Sequence, residues 1–225
     1  MSALTFTLKA NPTVPIDCSK LTPDTLAGLS TKEIRNLALP NDALNPTIVS
    51  DVFDIAGTDS SHIIFKSTTA QLNYIGHHMK NGQITVHGDV GNFLGAELQG
   101  GKIVCTGNAG ERVADKMRRG IILIDGDVGT YCGSQMIAGT IGVYGSVGLH
   151  LGYALRRGTI LLTQKPSLPA TWLDCGVHSL AFLKLLFSTF KLLDSKFAKL
   201  NTTRVQRWMG DASQSGKGEI LLFQD

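Results

Sequence analysis

The stretch GQITVHGDVGNFLGAELQG, residues 82–100, decides the fold because the chain repeats its pattern three more times without a gap. The next units are GKIVCTGNAGERVADKMRR at 101–119, GIILIDGDVGTYCGSQMIA at 120–138 and GTIGVYGSVGLHLGYALRR at 139–157. Each unit is 19 residues long, and most of its glycine and apolar positions recur in every unit. A self-similar period of this length is typical of a stacked repeat protein.

Glycine marks the corners of the predicted repeat. Of the 25 glycines in the chain, 19 lie between Gly76 and Gly158. We expect them where the backbone needs a positive φ or has no room for a Cβ atom. Three columns of such turn glycines keep the period: Gly82, Gly88, Gly91, Gly101, Gly107, Gly110, Gly120, Gly126, Gly129, Gly139, Gly145, Gly148 and Gly158. A fourth column departs once from glycine, at Ala114.

Apolar residues predict one strand in each unit. Pairs such as Ile84 and Val86 have the period of two that is typical of a strand. The first position of the pair is isoleucine in five successive units: Ile84, Ile103, Ile122, Ile141 and Ile160. No helix-length segment separates these strands, so residues 61–164 are predicted to form an all-β fold, a right-handed parallel β-helix of 19-residue coils.

The two ends of the chain are predicted to flank this β-helix. Residues 1–60 form a small N-terminal α/β cap, with a strand at Leu4–Leu8 and a capping box at Ser30–Glu33 that begins a short helix. Residues 165–225 form a C-terminal helix and tail that pack on the solenoid, on partner subunits, or on both. The helix is expected from about Val177 to Leu200, and a last strand follows Gly216.

Composition restricts the class of protein. A net charge of +3 gives no basis for strong nucleic-acid binding, and a charged fraction of 17% suggests a surface partly covered by partners. The start, MSALTFTLKANPT, lacks the features of a signal peptide, and the longest apolar stretch is too short to span a membrane. The four cysteines have no zinc or iron–sulfur spacing. We therefore predict a cytoplasmic protein with reduced thiols.

The sequence contains no recognisable catalytic constellation, and we predict neither catalytic residues nor a metal site. His77 and His78 are adjacent, so their rings are expected to point to different sides of an extended chain. By register His78 lies over Glu97, which indicates a surface charge ladder. The nearby pair Cys175 and His178 is interpreted as a structural corner.

Two cysteines and one polar column have structural interpretations as well. Cys105 and Cys132 occupy apolar columns and are predicted to be small buried residues. A polar residue follows the corner glycine in four units: Asp89, Asn108, Asp127 and Ser146. Stacked carboxylates could bind calcium, but the residue types of this column favour turn formation.

Basic residues recur in every second unit and form a candidate binding surface. Lys80, Arg118 and Arg156 share one column, and Arg119 and Arg157 lie beside two of them. At a stacking distance of roughly 4.8 Å, these groups lie about 10 Å apart along one edge. Such a row suits an acidic polymer or the acidic surface of a partner. The alternative is a solvated edge that discourages aggregation.

Corner and tail phrases carry a resemblance to a known family. Gly88–Gly91, Gly126–Gly129 and Arg156–Ile160 resemble the G-x-G-x-G superhelix family, which includes the C-terminal domain of glutamate synthase and the C-type subunit of formylmethanofuran dehydrogenase. Leu173–His178 and Arg207–Asp211 are similar to the C-type subunit of the bacterial formyltransferase/hydrolase complex. The resemblance covers nearly the whole chain from about residue 50.

The resemblance implies a place in one-carbon metabolism. Complexes of this family move a formyl group from tetrahydromethanopterin to a methanofuran-type carrier and hydrolyse it to formate. The D-type subunit performs the transfer, the A-type subunit is a metal-dependent amidohydrolase, and the B-type subunit is dehydrogenase-like. This chain would be a non-catalytic scaffold that binds no cofactor, and its basic column could guide the acidic tail of the carrier.

Two other functions stay open at this point. A stand-alone structural subunit of a glutamate-synthase-like amidotransferase would use the same solenoid as a spacer. An independent β-helix enzyme acting on polysaccharide would turn over its substrate without partners.

Overall fold

Strands dominate the computed structural model, which describes residues 2–40 and 47–224. The strands are β1 Ala3–Leu8, β2 Ile16–Asp17, β3 Phe53–Ala56, β4 Asp59–Thr68, β5 Leu72–Asn73, β6 Gln83–Gly88, β7 Lys102–Cys105, β8 Ile121–Ile124, β9 Thr140–Val143, β10 Arg157–Leu162, β11 Leu173–Ser179, β12 Arg204–Gly210 and β13 Lys217–Phe223. The α-helices are α1 Pro23–Leu26, α2 Thr31–Arg35, α3 Val49–Val52 and α4 Leu183–Phe190. No helix within these described ranges is long and apolar enough to cross a membrane. The predicted all-β class is confirmed.

Eleven of the strands form one mixed sheet. Their order is β11, β12, β13, β10, β9, β8, β7, β6, β4, β1, β3, and β2 pairs with β5 in a second, small sheet. Strands β6 to β10 are parallel neighbours in register, so that Ile103 pairs with Ile84 on one side and Ile122 on the other. A second row of parallel bridges joins Val90, Ala109, Val128 and Val147. Residues 19 apart therefore lie side by side at two positions in each unit, as the repeat predicts.

The corner glycines are required for two separate reasons. Gly120 has a φ of +101°, a backbone conformation that side-chain-bearing residues rarely adopt. A Cβ atom on Gly107 would lie 2.5 Å from the carbonyl carbon and oxygen of Gly88, so close packing of two backbones excludes it. Ala114, in the column otherwise filled by glycine, adopts a φ of +58° and keeps the geometry of its neighbours Gly95 and Gly133.

One continuous core runs along the inside of the stacked strands. Alternate residues of each repeat strand, such as Ile103 and Cys105, are buried in it. Both ends extend the same columns with residues from outside the repeat. Leu4 pairs with Ile63 at one end, and Ile220 pairs with Ile160 at the other. Neither end of the repeat therefore exposes its core directly to water.

The N-terminal segment adds two strands and short helices to the first end. Strand β1 pairs in parallel with β4, and β3 pairs with β1 in the antiparallel sense. At α2, the Ser30 hydroxyl accepts from the Glu33 amide at 3.3 Å, and the Glu33 carboxylate accepts from the Ser30 amide at 2.7 Å. The predicted strand at Leu4–Leu8 and the capping box are confirmed.

The C-terminal segment differs from the prediction. The helix expected from Val177 to Leu200 is only eight residues long, because residues 173–179 form β11 and pair with β12. The last strand is confirmed as β13, which extends the repeat beside β10. Helix α4 and the turn after it cover the outer face of the repeat strands in a second apolar cluster. Its fully buried or nearly buried members are Val104, Leu123, Leu161, Leu183, Phe187, Phe190, Leu193, Phe197, Val205 and Leu221.

One buried carboxylate fastens this segment to the repeat. Asp125, which follows strand β8, accepts a hydrogen bond of 2.6 Å from the Ser195 hydroxyl and one of 2.9 Å from the Lys196 amide. The Lys196 ammonium in turn donates to the Asp125 carbonyl at 3.0 Å. Helix α4 therefore packs on the flank of the solenoid, one of the two arrangements expected, while Leu185 and Leu192 remain exposed.

Candidate functional site: the basic edge

Four arginines lie together on one edge of the repeat, which we call the basic edge. Arg118 and Arg119 occupy a corner, and Arg156 and Arg157 occupy the equivalent corner two units further on. The backbone fixes this spacing, because the Arg118 amide donates to Leu98 one unit before it, at 2.8 Å. All four residues are exposed.

Shallow grooves separate the arginines of the basic edge. In the unit between the two pairs, Ile137 occupies the position of Arg118 and Arg156. Because Ile137 is shorter and uncharged, depressions of about 430 and 480 Å³ open on either side. The first is lined by Arg118, Arg119 and Arg157, and the second by Arg156 and Arg157. An extended ligand lying along this edge would meet a cation at each second unit.

The arginines of the basic edge have no acidic partner within the described part of the structure. None of the ion pairs found among residues 2–40 and 47–224 includes one of them. The nearby carboxylate of Glu219 is engaged elsewhere, accepting from Arg207 at 3.0 Å and from the Thr159 hydroxyl at 2.8 Å. Unpaired guanidinium groups match carboxylates in geometry and charge.

The structure adds two lysines that the sequence prediction missed. Lys217 pairs with Arg157 in the register of β13 and β10, and Lys116 lines a groove with Arg118 and Arg156. The sequence does contain a signal for Lys217, because KGEILL at 217–222 repeats the pattern of RGTILL at 157–162. That similarity predicts that β13 continues the stack and places its lysine on the same edge.

Lys80, in contrast, is separated from the four arginines. It lines a different depression, together with Thr22, Asp24 and His78. Its backbone amide donates to the Asp24 carboxylate at 2.6 Å, which ties this corner to the N-terminal segment. The structure therefore divides the predicted basic column into a cluster of four arginines and one distant lysine.

The polar column after the corner glycines forms hydrogen bonds between units. Asp89 accepts from the Asn108 amide at 2.8 Å, Asn108 accepts from the Asp127 amide at 2.8 Å, and Asp127 accepts from the Ser146 amide at 2.7 Å. The bonds from Ser146 lower the pKa of Asp127. The side chains thus join successive units rather than close local turns, because their backbone partners lie 19 residues away.

The two histidines lie closer together than their sequence suggested. His78 has a φ of +57°, so the chain is not extended there, and the rings of His77 and His78 have centroids 4.1 Å apart. The expected contact of His78 with Glu97 is present, at 3.6 Å between Nε2 and Oε2. Burial is the main cause that lowers the pKa of His77, and the neighbouring His78 adds to it.

The cysteines fall into two groups. Cys105 and Cys132 are buried in the core, as predicted, and Cys18 is buried as well. Cys175 is exposed on β11, and the His178 Nε2 atom lies 2.8 Å from the Cys175 carbonyl oxygen. The Cys175 thiol instead donates to the Leu173 carbonyl at 3.5 Å. The imidazole therefore contacts the backbone of Cys175, and this geometry does not form a thiol–imidazole pair.

The repeat, the mixed sheet and the basic edge define a class of protein built from stacked glycine-rich units. No family model matches the chain. Among curated proteins, the C-type subunit of a tungsten-containing formylmethanofuran dehydrogenase 2 from Methanothermobacter thermautotrophicus is 34% identical over 102 residues, which are 43% of this chain and 37% of the relative. The C-type subunit of the formyltransferase/hydrolase complex Fhc from Methylorubrum extorquens is 32% identical over 90 residues, 40% of this chain and 34% of the relative. The chain thus matches little more than a third of the length of these relatives.

A solved structure matches over far more of the chain. A chain in the crystal structure of the formyltransferase/hydrolase complex from Methylorubrum extorquens, determined with methylofuran, is similar with a TM-score of 0.67 and 29% identity. The similarity covers 98% of this chain and 100% of that one. Together with the curated relatives, this shows that the chain belongs to the family formed by the C-type subunits of formylmethanofuran dehydrogenase and of the formyltransferase/hydrolase complex.

Proposed function

We propose that this chain is the C-type subunit of a formyltransferase/hydrolase complex and acts there as a non-catalytic scaffold. The observation that carries the proposal is the end-to-end structural match to a chain of the Methylorubrum extorquens complex. The curated relatives match about two fifths of this chain, whereas the structural similarity also includes its terminal segments. A protein similar over its whole length has matching surfaces available for similar partners.

Rigidity is the physical basis of the scaffold role. We propose that residues 61–164 wind as a right-handed parallel β-helix, capped by residues 1–60 and flanked by residues 165–225. Parallel ladders at two positions of each unit and the hydrogen bonds of the polar column join neighbouring units. A stack connected in this way resists bending and fixes the distance between proteins docked along it.

The proposed partners are the other subunits of such a cytoplasmic complex. An amidohydrolase of the A type would hold the catalytic metal, a formyltransferase of the D type would transfer the formyl group, and a dehydrogenase-like protein of the B type would complete the assembly. The reacting groups of the methanofuran-type carrier and of tetrahydromethanopterin would then be bound by those partners.

The basic edge has a proposed role of its own, which is to guide the acidic tail of the carrier. The four arginines are exposed, unpaired and separated by grooves, so that a chain of carboxylates could pass from Arg118 and Arg119 to Arg156 and Arg157. Two lysines, at positions 217 and 116, extend the positive surface. Exposed charges of one sign raise the local concentration of an oppositely charged ligand and fall in effect with rising salt.

Isolation of the native assembly tests the scaffold proposal. The chain, tagged at its own locus, would be purified from the cells that encode it and examined by native mass spectrometry. We expect amidohydrolase-type and formyltransferase-type polypeptides in a fixed ratio with it. Glutaminase and flavin-dependent partners would instead indicate an amidotransferase, and activity of the isolated chain on polysaccharide would contradict a non-catalytic role.

Charge reversal tests the basic edge within the assembled complex. The double substitution Arg118→Glu/Arg156→Glu should slow formate release from the carrier, with most of the loss at low carrier concentration and low salt. The matched control is Lys32→Glu/Lys165→Glu, which makes the same charge change at two exposed positions away from the edge. Equal turnover in both variants, with assembly intact, would refute the guiding role.

A further inference from the structure

Three side chains with metal-binding atoms converge where the first regular unit stacks on the second. His77 and His78 precede β6, and Glu97 lies 19 residues after His78 in the next unit. One potential ligand atom from each residue lies within 4.8 Å of the others. Two imidazole nitrogens and a carboxylate oxygen form the donor set of several three-ligand zinc sites.

The backbone of the repeat brings these side chains together. His78 and Glu97 have φ values of +57° and +55°, so equivalent left-handed corners repeat from one unit to the next. At such a corner, adjacent side chains need not point to opposite sides as they do in a strand. The His77 and His78 rings therefore meet at 64° with centroids 4.1 Å apart.

Hydrogen bonds orient both rings. The His77 Nδ1 atom lies 3.1 Å from the Ala96 carbonyl oxygen, and because a carbonyl only accepts, Nδ1 carries the proton there. The Nε2 lone pair of a neutral His77 is consequently available to a ligand. Metal-binding histidines commonly donate their other ring N–H to a backbone carbonyl in this way. Gln99 holds the second ring, with its Nε2 atom 3.4 Å from Nδ1 of His78.

The cluster opens to solvent beside a polar depression of about 400 Å³. Hydroxyl groups of Thr22 and Thr25 line this depression, so water has hydrogen-bonding partners next to the cluster. The neighbouring Asp24 carboxylate accepts from the backbone amides of Lys80 and Asn81 and is thus engaged. Within the described residues, Glu97 takes part in one ion pair, the contact with His78.

From this geometry we propose that His77, His78 and Glu97 bind a divalent transition-metal ion of the zinc type, with water in the remaining position. The imidazole and carboxylate donors suit Zn²⁺ better than the oxygen-seeking Mg²⁺ or Ca²⁺. The ion would link two successive units across their stacking interface. This site is independent of the proposed function, because neither the scaffold role nor the basic edge requires it.

Calorimetric titration of Zn²⁺ into the purified full-length chain tests the site. All variants carry Cys175→Ser, since the exposed Cys175 thiol next to His178 would otherwise contribute zinc binding of its own. We expect one equivalent to bind in this background, and His77→Gln or Glu97→Gln to weaken binding at least about tenfold, the loss that even outer-shell changes cause. Co²⁺ absorption in the visible range reports the coordination independently.

His150→Ala is the matched control, because His150 is an exposed ring stacked on Tyr131 and has no place in the cluster. It should bind Zn²⁺ like the background protein. His78→Gln provides a third ligand variant, and circular dichroism verifies the fold of each. The absence of binding in the Cys175→Ser background, or equal binding by a folded ligand variant and the His150→Ala control, would overturn the proposal.

Discussion

The repeat units and the C-terminal segment bury their apolar residues in opposite ways. Inside the repeat, one side chain per column lies over its equivalent in the next unit, as Ile122 lies between Ile103 and Ile141. On the outside, a single helix and turn cover the strands with large residues such as Phe190 and Phe197. The inner core is therefore periodic and shared by all units, whereas the outer core belongs to one segment that could detach as a whole.

Truncation inside the repeat should have the largest effect of the substitutions compared. Ile122→Ala leaves a cavity in a fully buried column, and its neighbours are held by parallel ladders on both sides. We expect the free energy of unfolding to fall by about 3–4 kcal/mol, within the range for large-to-small core substitutions. Urea denaturation followed by circular dichroism measures the loss.

Ile137→Ala is the matched control for that substitution, because Ile137 has the same side chain but is only half-buried on the basic edge. Its loss should be below about 1 kcal/mol, since less surface leaves water on folding. Similar losses for both variants would mean that the inner columns do not form a close-packed core.

Truncation of the outer core should have a smaller and local effect. Phe197 is buried, and its ring lies close to where a Cβ atom on Gly142 would be, with Phe197 Cζ 2.8 Å from that position. Phe197→Ala should destabilise the docked segment by about 3 kcal/mol, near the lower end for such truncations. Residues 180–200 should then exchange amide hydrogens and be cleaved by protease faster, while the repeat strands stay protected.

The control for the outer core is Leu192→Ala, which removes an apolar side chain from the same segment at a position that is 79% exposed. It should leave exchange and proteolysis unchanged. If Phe197→Ala instead exposes the repeat strands together with residues 180–200, the two cores unfold as one unit, and the distinction between them is wrong.

The same contrast explains which parts of the fold the sequence predicted. The period of 19 indicated the strands, the corner glycines and the spacing of the arginines, because each unit repeats the same local solution. Periodicity carries no information about β11, whose partners Trp208 and Val205 lie about 30 residues away. Backbone pairing with β12 overrode the helical pattern after Val177, as tertiary contacts commonly override local propensity.

The outer core also has a signal in the sequence. The middle residues of the repeat strands, Val104, Leu123 and Leu161, point away from the inner core yet are apolar. An alternating strand with one wet face would have polar residues there, so these residues predict a covering segment. At the candidate metal cluster, the left-handed corners at His78 and Glu97 were invisible in sequence because neither residue is glycine.

The smallest perturbation is chemical labelling of thiols, which changes no residue and distinguishes the two regions directly. Burial raises the pKa of the Cys105 and Cys132 thiols to about 12 and also raises the pKa of Cys18, so at neutral pH these groups are inaccessible and protonated. Cys175 is exposed on β11, in the C-terminal segment. Iodoacetamide should therefore add one label to the native chain, at Cys175, and four after denaturation, as counted by mass spectrometry. Cys175→Ser should bring the native count to zero. Rapid native labelling of Cys105 or Cys132 would show that the repeat opens as readily as the segment that covers it, against the assignment of its columns to a close-packed interior.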